Sequence, residues 1–309
     1  MTKNHTNLSI TDFPSLHSTP AEQRNLYQKY QLDEETARIA YHYDIDPMFY
    51  ILVTGGDWNT YSCSIFDDST QTLTQAQEKK LDTFARLMKL EAGQKVLDVG
   101  CGWGGPLVYL CQKYGVTGLG ITVSPKSAEY AQARAKAHGV DAQFMVSHWK
   151  NLPHTAEFDA IYSDEVLVHI EDLQSFYRQC HRMLKTRGVM CHKELHLTHP
   201  EHKNWNDRLG QHVNKVFAYT GNYRLLKEEL AFLNAANFQT TEIVDIPIAD
   251  YHTTVDQHWL PNMFKHKQQL IDLTNEQHYK DIRLYLKCTL RSFNSNIFNQ
   301  HMVVSEKID

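Results

Sequence analysis

Apolar and polar positions along this chain follow two alternating periods. From Thr74 to Leu90 the apolar residues Leu81, Phe84, Ala85 and Met88 recur at helical spacing, which predicts an amphipathic helix. Short apolar runs then alternate with helical stretches. Strands are predicted at 96–99, 118–122, 143–146, 158–163 and 188–197, and helices at 106–114, 125–138 and near 174–184. Pro125 stands at the first helical position of its segment, where its missing N–H costs nothing. Strands separated by helices of this length imply a parallel, doubly wound sheet, hence an α/β fold.

The pattern differs at both ends. Residues 1–20 carry Asn, Thr, Ser and Pro without periodicity and predict a loose arm. Residues 21–50 look helical, with aromatics in Tyr41-His42-Tyr43-Asp44 and Phe49-Tyr50, and a Gly55-Gly56 turn follows. Past residue 200 a helix is predicted at 223–236 and a strand at 240–248. A long aromatic, helical stretch at 251–293 and a last strand at 299–305 follow, so the helical stretch is an insertion before that strand.

Composition narrows the function classes. The 309 residues are 42% hydrophobic, enough for one large domain or two small ones. Net charge is −5 and no basic run exists to track a phosphate backbone, so a nucleic-acid partner is not expected. The first residues lack an apolar signal core, and no run approaches the roughly 18 apolar residues of a membrane span. Six cysteines without Cys-x-x-Cys spacing suggest reduced thiols and a cytoplasmic protein. Nothing in the sequence sets an oligomeric state.

Candidate chemistry begins at Val96-Leu97-Asp98-Val99-Gly100-Cys101-Gly102-Trp103-Gly104-Gly105. A buried strand ends there in a glycine-rich turn that lets a ligand approach bare backbone. Asp98 can accept a hydrogen bond from a cationic amine, such as the methionine part of S-adenosylmethionine. A dinucleotide site wants an acid about 20 residues on, to hold the ribose. No Asp or Glu occurs from 106 to 128, so NAD is disfavoured.

This glycine pattern, followed by Gly120-Ile121-Thr122-Val123-Ser124-Pro125, resembles the cyclopropane fatty acid synthase and mycolic acid methyltransferase family, which also lacks the second-strand acid. The resemblance extends upstream through Tyr41-His42-Tyr43-Asp44, Thr60-Tyr61-Ser62-Cys63, and Thr72-Leu73 with Ala76-Gln77. It weakens between 165 and 220 and recovers near Tyr285 and Phe293. It implies a class I methyltransferase (Rossmann-like) fold with a seven-stranded, mostly parallel sheet. Residues 1–75 would form an arm and helical lid, and 76–200 the core that binds S-adenosylmethionine. Residues 201–309 would complete the core and carry an acceptor-pocket insertion at about 249–294. Tyr61 and Ser62 would close over the methionine end, while Gly100, Gly102, Trp103 and Gly104 form the cofactor turn. Thr122, Val123 and Ser127 would meet the ribose and adenine. His148 and Trp149 would lie at the purine, where the family has Gly-Trp, although a buried Trp149 is equally a core residue. Asp164 completes the expected cofactor set.

On the acceptor side the chain departs from that family. There a bicarbonate ion serves as base, held by a Cys, the Glu of Phe-Glu-His, a His on strand five and a Tyr on a late helix. This chain keeps Cys63 and Tyr285 but has Val168 for the Glu and Lys193 for the His. Bicarbonate-assisted ring closure is therefore not expected. The remaining polar set is Glu165, His169, Lys193 and Glu194. His169 either orients the acceptor or takes its proton, its imidazole titrating near neutrality, or it is a loop histidine bonded to backbone. Glu165 either binds an amine or removes a proton, or it is a solvated loop acid. Lys193 and Glu194 point to opposite faces of one strand, so at most one faces the pocket. Cys63 is a functional thiol or a small packed residue.

His192 and His196 would lie about 13 Å apart on a strand, too far for one zinc. No metal is expected, and these histidines are read as exposed or hydrogen-bonded. In the insertion, Tyr251, His258, Trp259, Met263, Phe264, Tyr279 and Phe293 are read mostly as packing, and Tyr285 as pocket wall. The expected activity is methyl transfer to O, N or an activated carbon of a small-molecule or lipid-like acceptor, with peripheral membrane contact compatible. The alternatives are a cyclopropane or methyl-branched fatty acyl synthase and a non-catalytic S-adenosylmethionine-binding protein.

Overall fold

The computed structural model describes residues 39–40, 42–67, 72–204, 212, 216 and 221–309. The expected arm at 1–20, most of the first helical stretch, and Tyr41 lie outside these residues. Within them, helical backbone at 42–43 breaks before Pro47, and α1 (Pro47–Thr54) begins there under an Asp46 cap. Proline restricts the residue before it and lacks an N–H, so a helix starts at it rather than running through it.

α2 (Leu73–Leu87) opens on a capping box between Thr72 and Gln75. It buries Leu73, Ala76, Lys80, Leu81 and Phe84 along one face. Then come β1 (Lys95–Val99), α3 (Gly105–Tyr114), β2 (Thr117–Thr122), α4 (Pro125–His138), β3 (Ala142–Val146), β4 (Phe158–Asp164), α5 (Leu173–Met183) and β5 (Leu184–Leu197). The Ser124 side chain caps α4 and Gly139 ends it in the left-handed conformation.

Next follow β6 (Arg224–Leu225), α6 (Leu226–Ala235) and β7 (Phe238–Ile246). The insertion comprises α7 (Ile248–His252), a π-helical turn at 253–259, α8 (Leu260–Lys265), α9 (Lys267–Leu273) and α10 (Glu276–Asn294), and β8 (Phe298–Lys307) closes the chain. The helix expected from 223 starts at 226 because Arg224 and Leu225 pair with His196 and Leu197 of β5.

The strands form one sheet in the order β3-β2-β1-β4-β5-β8-β7, with β6 extending β5 as an eighth, two-residue strand. The pairs among β1 to β5 are parallel, and β8 runs antiparallel to β5 and β7. Apolar clusters cover both faces, one under α2, α3 and α4 and one under α5 and α6. A third joins α1 to the insertion through Phe49, Tyr50, Val255, Met263 and Phe293. Strand order reverses between β1 and β4, and a crevice outside the carboxyl ends of those strands is where such sheets bind ligands. Among the described residues no helix is long and apolar enough to cross a membrane.

His192 and His196 are both buried rather than exposed. Each hydrogen-bonds through Nε2 to one oxygen of Glu229 on α6, which satisfies two imidazoles and a carboxylate together.

Candidate active site

β1 delivers Asp98 to the crevice, and the turn after it runs through Gly100 (φ +78°) and Gly102 (φ +51°). A Cβ at Gly100 would stand 2.5 Å from Val166 Cγ2, whereas one at Gly102 would meet nothing within 4 Å, the open side of a cradle. The cradle belongs to a cavity of about 1120 Å³, including its mouth. Its walls include Tyr61, Ser62, Asp98, Gly100, Gly102, Trp103, Thr122, Val123, Ser127, His148, Trp149 and Asp164. Gly104 is not among them: a Cβ there would stand 2.7 Å from Ala131 and 2.9 Å from Phe144, so this glycine serves helix packing.

Asp98 is buried and accepts a hydrogen bond from Tyr162 at 2.6 Å. Burial pushes its carboxyl up to about 7, against the opposing pull of that hydroxyl. Three further buried polar atoms at the cavity, Thr60 Oγ1, Tyr61 OH and Trp103 Nε1, have no hydrogen-bond partner among the described residues. A carboxylate suited to a cation, unpaired donors and an open glycine cradle fit S-adenosylmethionine. Asp98 would take its amino group, and Thr122, Ser127 and Trp149 would take its nucleoside.

The segment before α1 is pinned beside this cavity. Asp44 accepts hydrogen bonds from Ser124 Oγ at 3.0 Å and Lys126 N at 3.3 Å at the start of α4. Behind it, Tyr50 stacks on Trp103 with ring centroids 5.2 Å apart.

A second cavity, of about 840 Å³, adjoins the first. Its walls include Tyr223, Tyr251, Trp259, Tyr285, Phe293 and Phe298. Tyr285 is thus at the wall as expected, and Tyr251, Trp259 and Phe293 join it rather than merely packing. Met263 and Tyr279 are buried in the third cluster, and Phe264 is 81% exposed. Four residues line both cavities: Tyr43, Tyr61, Glu165 and His169. Trp259, at the end of the π-helical turn, stacks on Tyr61 with centroids 5.3 Å apart.

At this junction Glu165 Oε1 accepts from Cys63 N at 3.0 Å, from Gln300 Nε2 at 2.9 Å and from Lys193 Nζ. Glu165 is therefore not a solvated loop acid. Asp164 beside it is held below the usual carboxylate range by Lys80 at 2.7 Å, by Lys193, and by the Ser62 hydroxyl at 2.6 Å. Lys193 lies behind the junction and lines neither cavity. Glu194 points to the opposite face, where it accepts from Leu167 N and burial pushes it up to about 8. It supports the loop after β4 and does not reach either cavity.

His169 hydrogen-bonds Tyr43 OH through Nε2 at 3.0 Å. Burial lowers its imidazole to about 4, which makes it a weaker base than an exposed histidine, and its partner is the Tyr43 side chain. Cys63 is buried, lines neither cavity, and its thiol is pushed up to about 12 by burial. That is the chemistry of a packed residue whose backbone N–H matters more than its sulfur.

The sequence reading passed over Lys80, Tyr162, Gln300 and the role of Tyr43. Lys80 carried a signal, being a lysine inside the apolar stripe of an amphipathic helix. Gln300 carried none.

A sheet of order β3-β2-β1-β4-β5-β8-β7, parallel but for the strand second from its edge, with a crevice at the first glycine turn, is the class I methyltransferase fold. Residues 30–303 match the family described as mycolic acid cyclopropane synthetase, and the chain belongs to that family of S-adenosylmethionine-dependent methyltransferases. A probable fatty acid methyltransferase of Pseudomonas putida is 26% identical over 306 residues, covering 97% of this chain and 75% of the relative. Cyclopropane mycolic acid synthase 1 of Mycobacterium tuberculosis is 30% identical over 175 residues, covering 55% of this chain and 60% of the relative. The structure of mycolic acid cyclopropane synthase CmaA1 complexed with SAH and CTAB superposes with a TM-score of 0.82 at 24% identity, covering 90% of this chain and all of that one.

Proposed function

We propose that this protein transfers the methyl group of S-adenosylmethionine to a carbon of an unsaturated, lipid-like chain. The observation that carries this reading is the junction: a cofactor-sized cavity and an aromatic chamber share Tyr43, Tyr61, Glu165 and His169. The bound cofactor supplies a methyl group on a sulfonium, an electrophile that needs only an aligned acceptor and a dry path. Asp98 neutralises the cofactor's ammonium, and the stacked Tyr50, Trp103, Tyr61 and Trp259 keep water from the reacting centre.

The second cavity supports an apolar acceptor. Among the described residues lining it, Glu165 is the sole carboxylate, and none is a lysine or arginine that would bind an anionic head. Its aromatic faces stabilise positive charge passing through the acceptor. The names of the relatives, a fatty acid methyltransferase and a mycolic acid synthase, support the same class. Six free, buried cysteines support a reducing, cytoplasmic setting.

The test is incubation with methyl-labelled S-adenosylmethionine and phospholipids bearing monounsaturated acyl chains, followed by mass spectrometry and NMR of the released fatty acids. A gain of one labelled CH2 equivalent on the chain is expected, as a methyl branch, a methylene or a ring. Label on an amine or hydroxyl acceptor instead would contradict the reading.

A further inference from the structure

We propose that Glu165 accepts the proton released in the transfer, and that Lys193, Gln300 and the Cys63 N–H form an anion cage that the chain fills with its own side chain. This rests on the transfer reading above.

The need for a base follows from charge balance. A neutral acceptor gives an electron pair to the incoming methyl carbon, and the carbon–sulfur bond pair stays on sulfur. The acceptor is then cationic. A C–H bond of the acceptor breaks, its electron pair neutralises the cation, and the proton must find a base in a site from which water is excluded.

Glu165 is built for that task. It is a non-glycine residue at φ +60°, a conformation that costs about 1 kcal/mol or more, held in place by its N–H donating to Lys193 O at 2.7 Å. Two side-chain donors, Lys193 on β5 and Gln300 on β8, and one backbone N–H, Cys63 in the segment before α2, converge on Oε1. Oε2 has no hydrogen-bond donor among the described residues, and the residue borders both cavities. Lys193, fully buried, sets a positive charge against Oε1 and fixes the orientation of the carboxyl group. The other basic group at the junction, His169, is already bonded to Tyr43. Lys193 and Gln300 are positioning residues that act through Glu165.

If the cage is an anion receptor, emptying it should create a site for a small carboxylate. Glu165→Gly suits the positive φ and removes the side chain, and Glu165→Gln keeps the shape without the base. Both are expected to lose ~100-fold or more in kcat with near-normal S-adenosylhomocysteine affinity. Formate should raise the Tm of Glu165→Gly but not of the parent protein or Glu165→Gln, and should restore its turnover saturably. Lys193→Met should lower kcat with near-normal S-adenosylhomocysteine affinity, and formate should fail to rescue a Glu165→Gly/Lys193→Met double variant, which a merely structural lysine would not cause.

Full turnover in folded Glu165→Gln or Glu165→Gly overturns the proposal. So does formate binding without rescue, or no formate effect on Tm. If the parent protein methylates no unsaturated chain, the transfer reading fails, and the formate-dependent Tm shift still decides for or against the cage.

Discussion

The Tyr162 hydroxyl donates a 2.6 Å hydrogen bond to Asp98 Oδ2 across adjacent strands β4 and β1. Burial holds this carboxyl at about 7 in the ligand-free protein, so a proton and a cationic ligand compete for it. Affinity for S-adenosylmethionine should therefore rise with pH to a plateau above about 7 and fall about tenfold per unit below it. Asp98→Asn should abolish that dependence and weaken binding by about 1.5–3 kcal/mol. Tyr162→Phe removes a bond to the charged form and should shift the midpoint upward. Calorimetric titration across pH checks all three.

The same raised group affects stability. Its folded value lies above the ordinary 3.8, so its stabilising contribution is full below 3.8 and is lost as pH rises through about 7. Thermal melts of the ligand-free protein should show this loss, and Asp98→Asn should lack it.

Lys80 and Asp164 form a buried ion pair at 2.7 Å between α2 and the end of β4. Lys80→Met leaves Asp164 with Lys193 as its remaining cation, and should destabilise by about 3 kcal/mol in urea unfolding. Adding Asp164→Asn should recover part of that loss, because Lys193 then has only Glu165 to compensate rather than two carboxylates.

Burial makes His169 a weak base and its Nε2 is engaged with Tyr43, so we predict that its contribution is that hydrogen bond. His169→Ala should lower kcat about tenfold, the worth of one such bond, with little change in cofactor affinity. No inflection near the ordinary histidine value should appear in the parent pH–rate profile on its account.

Thr289 lines only the aromatic chamber. Thr289→Phe should raise the acceptor KM or abolish turnover while leaving S-adenosylhomocysteine affinity unchanged. A parallel loss of cofactor affinity would mean that the two cavities are not separate subsites.

The periodic parts of this chain were legible because burial leaves a plain record: apolar runs for β1, β2 and β4, which are covered on both faces, helical spacing for α2, and a proline at the start of α4. The glycine turn was equally plain, since Gly100 and Gly102 need the backbone freedom they signal. The junction was legible only in part. Glu165 stood out as a member of the polar set on the acceptor side, but its three donors come from segments far apart in the chain. Gln300 looks like any strand residue until β8 is laid beside β5, where it faces Leu195. Glu229 was hidden for the same reason, its two histidine partners lying on another strand.

The most direct measurement is a crystal structure with S-adenosylhomocysteine and a monounsaturated fatty acid. The thioether should lie in the cavity under Asp98, Trp149 and the glycine turn, with its sulfur toward Tyr61 and Glu165. The acyl chain should run past Trp259 and Tyr285, its double bond at the shared wall. Density for the nucleoside outside the glycine cradle, or an aromatic chamber that stays closed to the chain while the acid binds elsewhere, would contradict the account.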